Sequence, residues 1–390
     1  MKSLISIFIL TAGSMSIAAQ NNFDHIINQI IDGNPELDVV RSRNSLESAS
    51  LEPENNLADP EIEFTHQWGQ KGIGTKWGID ASQSFDWPGL YAARKKANAA
   101  NRTVFEKEYE VRRSEVIYEA RCGVTDAFFA RKKVMLQTHQ LNIIDSLQKI
   151  YEKGASKGEV SMLDVNKLKI ERIRIASRLT DANLAYEDAM AKLLTLSGGK
   201  KIADIDGNGE YPTESLLPTS VYLSRAADSS PYMHLAMAQD KAADEALDVN
   251  QKSNLPGFNV GYMHEYELGE HFNGIKLGMT LPFFSNRHKK EVIIAQKELI
   301  KSELSAKQTE IESGIKTDCR MVSRLDGDIA SFMEALTTND NPRLLGIALS
   351  ARHITLIQYL TEMNYFLEAA ENLIDLQCQR EQIMNRLLRY

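Results

Sequence analysis

The sequence is poor in cysteine, in positive charge and in long apolar runs, and each shortage excludes a class of protein. Cysteine occurs three times, at 122, 319 and 378, and so odd and widely spaced a set supports neither a disulfide framework nor a four-ligand zinc site. Lysine and arginine number 45 against 53 acids, a net charge of -8. Phosphate neutralisation needs a basic face, so no nucleic-acid partner is expected. Beyond the N-terminus no stretch approaches the about 18 apolar residues of a spanning helix. If the chain enters a membrane, it does so with strands.

Signs of catalysis are equally scarce. No Ser/His/Asp or Cys/His set stands in a nucleophile context. Gly72-Ile73-Gly74 with Gly78 misses the dinucleotide fingerprint and lies between strands instead of at a helix start. Asp204-Ile205-Asp206-Gly207-Asn208-Gly209 copies the opening of a calcium loop, but Ser215 stands where the bidentate acid belongs and Pro212 interrupts. An Asp/Gly turn is the plainer reading. His264-Glu265-Tyr266-Glu267 with Glu270-His271 gathers metal-ligand types without the helical His-Glu-x-x-His spacing, and reads as a polar loop. No enzyme, cofactor or metal is expected.

What is present begins with Lys2, the apolar run Leu4 to Leu10 and the small residues Ser16-Ile17-Ala18-Ala19. This is the pattern of a Sec signal peptide over residues 1–20, with cleavage after Ala18, Ala19 or Gln20. No cysteine follows, so a lipoprotein anchor is not indicated.

The remainder repeats itself. Asn34-Pro35 matches Ser230-Pro231 and Asp59-Pro60 matches Leu255-Pro256 at one offset of roughly 196 residues. Trp77-Gly78-Ile79 then matches Leu277-Gly278-Met279, and Cys122 falls into register with Cys319. Two copies follow, residues 21–200 and 222–390, joined by a turn-rich linker at 201–221. Each copy reads helix, strand, strand, long helix, turn, helix.

The strands show period two. Ile62, Phe64 and Trp68 alternate with Glu61, Glu63, Thr65 and Gln67, and Trp77, Ile79, Ala81 and Phe85 with Lys76, Gly78, Asp80, Ser82 and Ser84. In the second copy Phe258, Val260, Tyr262 and Tyr266 alternate with Asn259, Gly261, Glu265 and Glu267, then Ile275, Leu277, Met279 and Leu281 with Lys276, Gly278 and Thr280. Each strand has the about 9 to 11 residues a tilted strand needs to cross a bilayer. Alternation alone equally suits hairpins packed on a soluble core. Export, the double occurrence and the Glu/Lys-rich second face favour a barrel wall with a wet lumen, its lipid-facing aromatics being Phe64, Trp68, Trp77, Phe85, Tyr262 and Tyr266. A water-filled barrel needs at least about eight strands, so several protomers must share one barrel.

From Pro88 to about Lys157 the sequence predicts one helix, on the order of 100 Å long. The return helix places Val165, Leu168, Ile175, Leu179, Ala182, Tyr186, Ala189, Leu193 and Leu196 three or four apart, nearly throughout, with Arg172 interrupting the seam. Residues 287–350 and 355–389 repeat the pattern, and Asn339-Asp340-Asn341-Pro342 must break or kink the descending helix.

This arrangement resembles the TolC-type outer-membrane efflux family over nearly all of the mature chain. The residues that carry the resemblance are Asp59-Pro60, Trp87-Pro88-Gly89, Lys157-Gly158-Glu159-Val160-Ser161-Met162-Leu163-Asp164, Leu255-Pro256, Leu281-Pro282-Phe283-Phe284 and His353-Ile354-Thr355-Leu356-Ile357-Gln358-Tyr359-Leu360. The fold class it implies is mainly α with a membrane β-barrel: a homotrimer whose twelve-stranded barrel in outer-membrane lipid continues into a twelve-helix coiled-coil tunnel across the periplasm. The linker would form part of an equatorial belt. The implied function is the outer-membrane channel of a tripartite efflux or type I secretion system, docked to a periplasmic membrane-fusion adaptor and an inner-membrane pump of RND or ABC type. By the same resemblance the docking tips are Gly158, Val160 and Ser161, with Arg352, Ile354 and Thr355 on the second tip, where Arg352 departs from the usual glycine. The gate candidates are Asp164, Gln358, Thr361 and Glu362. Asp164 and Glu362 read equally well as solvated first-turn acids that suit the helix dipole. The competing class is a periplasmic coiled-coil adaptor or scaffold, which shares the helical hairpins and the signal.

Overall fold

The computed structural model describes residues 15–70, 74–284, 286–338 and 341–389. The signal segment therefore lies largely outside the described residues, as does part of the first hairpin turn. The elements run α1 (Met15–Gly33), α2 (Pro35–Ser50), β1 (Glu61–Trp68), β2 (Thr75–Phe85), α3 (Pro88–Ser156) and α4 (Met162–Leu196), followed by α5 (Thr219–Ser229), α6 (Pro231–Lys252), β3 (Gly257–Glu267), β4 (Glu270–Thr280), α7 (Lys289–Thr337), α8 (Asn341–Ser350) and α9 (Leu356–Leu387). Where the sequence predicts one helix ahead of each strand pair, two stand, divided at Pro35 and Pro231. Proline lacks the N–H that would continue the preceding helix and suits the first turn of the next. Asn34 completes the first break: its Oδ1 accepts from the N–H groups of Glu36 and Leu37, both at 3.0 Å, and its Nδ2 donates to the Leu196 carbonyl at 2.9 Å. The descending helix of the second copy stops at Thr337 and resumes at Asn341, where the Asn/Asp/Pro run predicts a break.

Packing divides the chain into two compact units that cut across the sequence repeats. One takes Asp38–Val111 and Asp228–Glu310; the other takes the described parts of Met1–Leu37, Arg112–Ala227 and Ile311–Tyr390.

The first unit holds a single antiparallel sheet in the order β1-β2-β3-β4. Phe64 stands opposite Ile79, Ile79 opposite His264, and Tyr262 opposite both Ala81 and Ile275. A register of this parity puts every apolar set on one face, because a slip by one residue would reverse a whole strand. The β3–β4 connection is the two residues Leu268 and Gly269, both at positive φ (51° and 92°), as a tight hairpin turn with the twist of its strands requires. Within this unit the Asn44 amide donates to the Phe105 carbonyl at 2.7 Å and the Asn98 amide to the Leu51 carbonyl at 2.8 Å, fastening α2 and the segment after it to α3.

The second unit is helical. Val165, Leu168, Ile175, Ala182, Ala189 and Leu193 of the seam are buried, while Arg172 turns out of it to pair with Asp145 at 2.7 Å. The coil after α4 is pinned by aromatic packing: Tyr211 lies 5.3 to 5.4 Å from the rings of Phe23, Phe128 and Phe129. Its hydroxyl shares a 2.8 Å hydrogen bond with Thr125. At Gly207 a Cβ would lie 2.9 Å from the Lys132 backbone nitrogen, so the coil reaches α3 only because that residue has no side chain. The calcium-like segment is an Asx turn, Asp206 Oδ1 accepting from the Asn208 N–H at 3.0 Å.

Candidate functional site

The sheet is two-faced. On one side Ile62, Phe64, Trp68, Ile275 and Leu277 are 64 to 81% exposed, a contiguous apolar surface that a water-soluble fold would cover. Trp77, Phe85, Tyr262 and Tyr266 share it, so all six aromatics singled out from the sequence lie on one face. Trp68, Trp77 and Tyr266 lie toward the hairpins, Phe85 at the strand roots, and Phe64 and Tyr262 mid-strand. Trp77 stacks on Tyr266 at 5.8 Å and lies 6.5 Å from Phe64 near the hairpins, while Trp87 packs 5.9 Å from Phe258, the partner of Phe85, at the strand roots.

The opposite face carries Glu61, Glu63, Asp80, Lys76, Glu265, Glu267 and Lys276, and Lys76 pairs with Glu265 and Glu267 at 3.1 and 3.4 Å. The strands thereby split the segment 264–271 that gathers metal-ligand types. His264 and His271 project on the apolar face, with 3.3 Å between His271 Nδ1 and His264 Nε2, and His264 Nδ1 sits 2.8 Å from Asn273 Oδ1. The carboxylates of Glu265 and Glu267 project on the other. Among the described residues no group of three or more His, Cys, Asp or Glu is arranged to hold a metal. Sequence reading passed over these histidines and His66 as members of the aromatic face, although their even spacing from Phe64, Tyr262 and Ile275 is the signal that places them there. β1 and β4 are the sheet edges, each paired on one side within the chain.

In the helical unit the two tips have the same construction. At the first, Gly158 has φ +73°, its N–H donates to the Ala155 carbonyl at 3.0 Å, and the Glu159 N–H reaches back to the Gly154 carbonyl at 2.9 Å. Ser161 caps α4 by accepting from the Leu163 N–H at 3.1 Å. At the second, Arg352 has φ +59°, the His353 N–H donates to the Ala348 carbonyl at 2.9 Å, and Thr355 caps α9. Both are left-handed C-terminal caps followed at once by an N-cap. Arg352 occupies the glycine conformation with a Cβ, at a cost of about 1–2 kcal/mol.

The tip residues divide by exposure. Gly158, Ser161, Arg352 and Thr355 are exposed, whereas Val160 is half-buried over Gly154 and Ile354 packs against the cluster of Ile144, Leu168, Ile175, Leu356, Tyr359 and Met363. That cluster joins the two hairpins and anchors the second turn through Ile354, while Val160 anchors the first against Gly154. Of the gate candidates, Asp164 pairs with Lys167 at 3.1 Å. Gln358 completes a capping box, its Oε1 accepting from the Thr355 N–H at 2.9 Å. Thr361 and Glu362 are exposed on the first turns of α9.

The arrangement is one of paired strands with one apolar face, alternating with long helical hairpins. Solved structures share it. CusC, described for the conformational changes accompanying folding and transmembrane channel formation, is 13% identical over 97% of this chain and 94% of that chain, with a TM-score of 0.71. The Campylobacter jejuni CmeC outer membrane channel is 14% identical over 98% of this chain and 90% of that chain, with a TM-score of 0.68. The open state of the Neisseria gonorrhoeae MtrE outer membrane channel is 14% identical over 94% and 88%, with a TM-score of 0.70. A scan against protein-family models and a search of curated proteins found no match.

Proposed function

We propose that the chain is the outer-membrane channel of a tripartite efflux or type I secretion system, a passive duct whose driving energy comes from an inner-membrane pump of RND or ABC type. The observation that carries this is the sheet: four strands, one continuous exposed apolar face, one charged face and two unpaired edges. Four strands cannot enclose water, and exposed edges of this length invite pairing. Three copies supply a closed twelve-stranded barrel, with the charged faces lining the lumen. The likeness to outer-membrane channels supports a tunnel of twelve helices, formed by the hairpins α3–α4 and α7–α9. Residues 1–20 serve as the export signal, 21–200 and 222–390 as the two repeats, and 201–221 as the equatorial linker. The tips present Gly158, Ser161, Arg352 and Thr355 to a periplasmic adaptor, and Val160 and Ile354 hold them in shape. Asp164, Gln358, Thr361 and Glu362 are the candidates for groups that regulate closure.

Fractionation of cells expressing the full chain, followed by light scattering of the detergent-extracted protein, tests the reading. The expected result is an outer-membrane trimer. A monodisperse monomer released in the periplasmic fraction without detergent overturns it and favours the adaptor class.

A further inference from the structure

The helical unit contains a cavity of about 410 Å³ between α3, α7, α9 and the coil that follows α4. Small-molecule sites span about 300–1,000 Å³. Phe129, Leu136, Ile329, Leu336 and Phe366 form its apolar wall. One end is charged. Arg380, 8% exposed, donates to Asp326 Oδ1 and Glu381 Oε1, both at 2.6 Å, and to the Glu214 carbonyl at 2.9 Å. Glu381 is itself 4% exposed.

The lining carries three carboxylates, Glu210, Asp326 and Glu381, against two cations, Lys132 and Arg380. Glu210 is exposed and the Asp326 side chain is 42% exposed, so Glu381, which shares Arg380 with Asp326, is the one buried carboxylate of the set. Burial pushes Glu381 up to about 7 even beside Arg380, whose guanidinium it shares with Asp326. Along α9, Phe366, Ala370, Leu373, Gln377 and Glu381 all line the cavity at spacings of three and four, one continuous helix face. Gln377 Oε1 is buried on that face without a hydrogen-bond partner. An acceptor and a carboxylate one turn apart, next to an aromatic wall, match a ligand with an N–H-bearing positive head and an apolar body.

We propose that this cavity binds an amphipathic monocation, its ammonium seated between Gln377 and Glu381 and its aromatic or short alkyl body lying along Phe129, Leu336 and Phe366. This goes beyond the channel reading and does not rest on it. The groups that face Glu381 are Arg380 on its own helix, Asp326 from α7, Glu210, Glu214 and Tyr211 from the coil, and Lys132 from α3.

The test is calorimetric titration of the purified full chain in detergent with 4-phenylbutylammonium, 4-phenyl-1-butanol and 4-phenylbutyrate. One saturable site per chain is expected for the ammonium, with the alcohol weaker by about tenfold or more, the worth of one charge-assisted hydrogen bond, and no site for the carboxylate. Glu381→Gln, which keeps an acceptor for Arg380, should lose about tenfold or more, and Met333→Trp, at a 41% exposed rim position, should close the mouth. Ammonium affinity should weaken as pH falls below about 7 in the parent chain and stay flat in Glu381→Gln. Far-UV circular dichroism and elution volume check that the variants fold, and Gln377→Leu carries the same test if Glu381→Gln does not. Equal binding of the three probes, no saturable site, or parental affinity in the folded variants overturns the proposal.

Discussion

Arginine at position 79 puts the assignment of the sheet faces at risk in a measurable way. Ile79 lies near the middle of β2, between Phe64 and His264 on the apolar face, and is 44% exposed. A lipid-facing arginine near the bilayer midplane costs about 2–4 kcal/mol. The proposed homotrimer would carry three, about 6–12 kcal/mol together, or roughly four to nine orders of magnitude in the assembly equilibrium. The control lies three residues further along the same strand. Ser82 faces the other way, between Glu61 and Gly261, so a guanidinium there gains an exposed carboxylate partner and should change stability by no more than about 1 kcal/mol. Heat-resistant oligomer in the outer-membrane fraction and urea-titrated refolding into phosphatidylcholine vesicles read the difference. Ile79→Arg should leave little assembled protein and Ser82→Arg near-parental amounts. Equal yields from the two variants would refute the face assignment, and with it the barrel.

At the tips, Arg352→Gly should raise the stability of the helical body by about 1 kcal/mol by relieving a left-handed residue, whereas Gly158→Ala should lower it by a similar amount; thermal melts read both, and a reversed sign at either position would show that its turn does not hold the residue at positive φ. Ser161→Cys, on the exposed first tip, should crosslink to a periplasmic adaptor in an exporting strain, and Thr75→Cys, at the hairpin end of β2, should not; equal capture by both reverses the orientation. Glu381 binds its proton more tightly folded than unfolded, because burial raises it from the ordinary value of 4.5 to about 7. Its contribution is therefore most favourable below the unfolded value and is lost as pH rises toward 7, at up to about 1.4 kcal/mol per pH unit. Unfolding of the parent chain should show this slope and Glu381→Gln should flatten it; identical pH profiles would place Glu381 in contact with water.

Much of this was legible in local patterns. The long helix predicted from Pro88 to about Lys157 is Pro88–Ser156, since a proline at the start, no proline within and a glycine in the left-handed conformation at the end are all local constraints. The two faces of the sheet follow from period two, which any antiparallel pairing in even register preserves. The break near Asn339–Pro342 and the caps at Ser161 and Thr355 are likewise written in short motifs. Two features were not legible. Arg352 adopts the conformation of Gly158 although nothing in its side chain prefers it; the burial of Ile354 with Leu356 and Tyr359 imposes the turn. The histidines at 264 and 271 looked like companions of Glu265, Glu267 and Glu270, and only the pleat separates them.

The amino-acid order thus settles where helices and strands begin and end, because propensity, capping and periodicity act over a few residues. Tertiary packing decides everything that brings distant segments together. It pairs β2 with β3, which set Ile79 beside His264, and it joins the two hairpins through Ile144, Leu168, Tyr359 and Met363. It also assembles Asp326, Glu214 and Glu381 around one buried arginine. Those contacts depend on which apolar faces can be buried together, a condition that no short window of sequence contains.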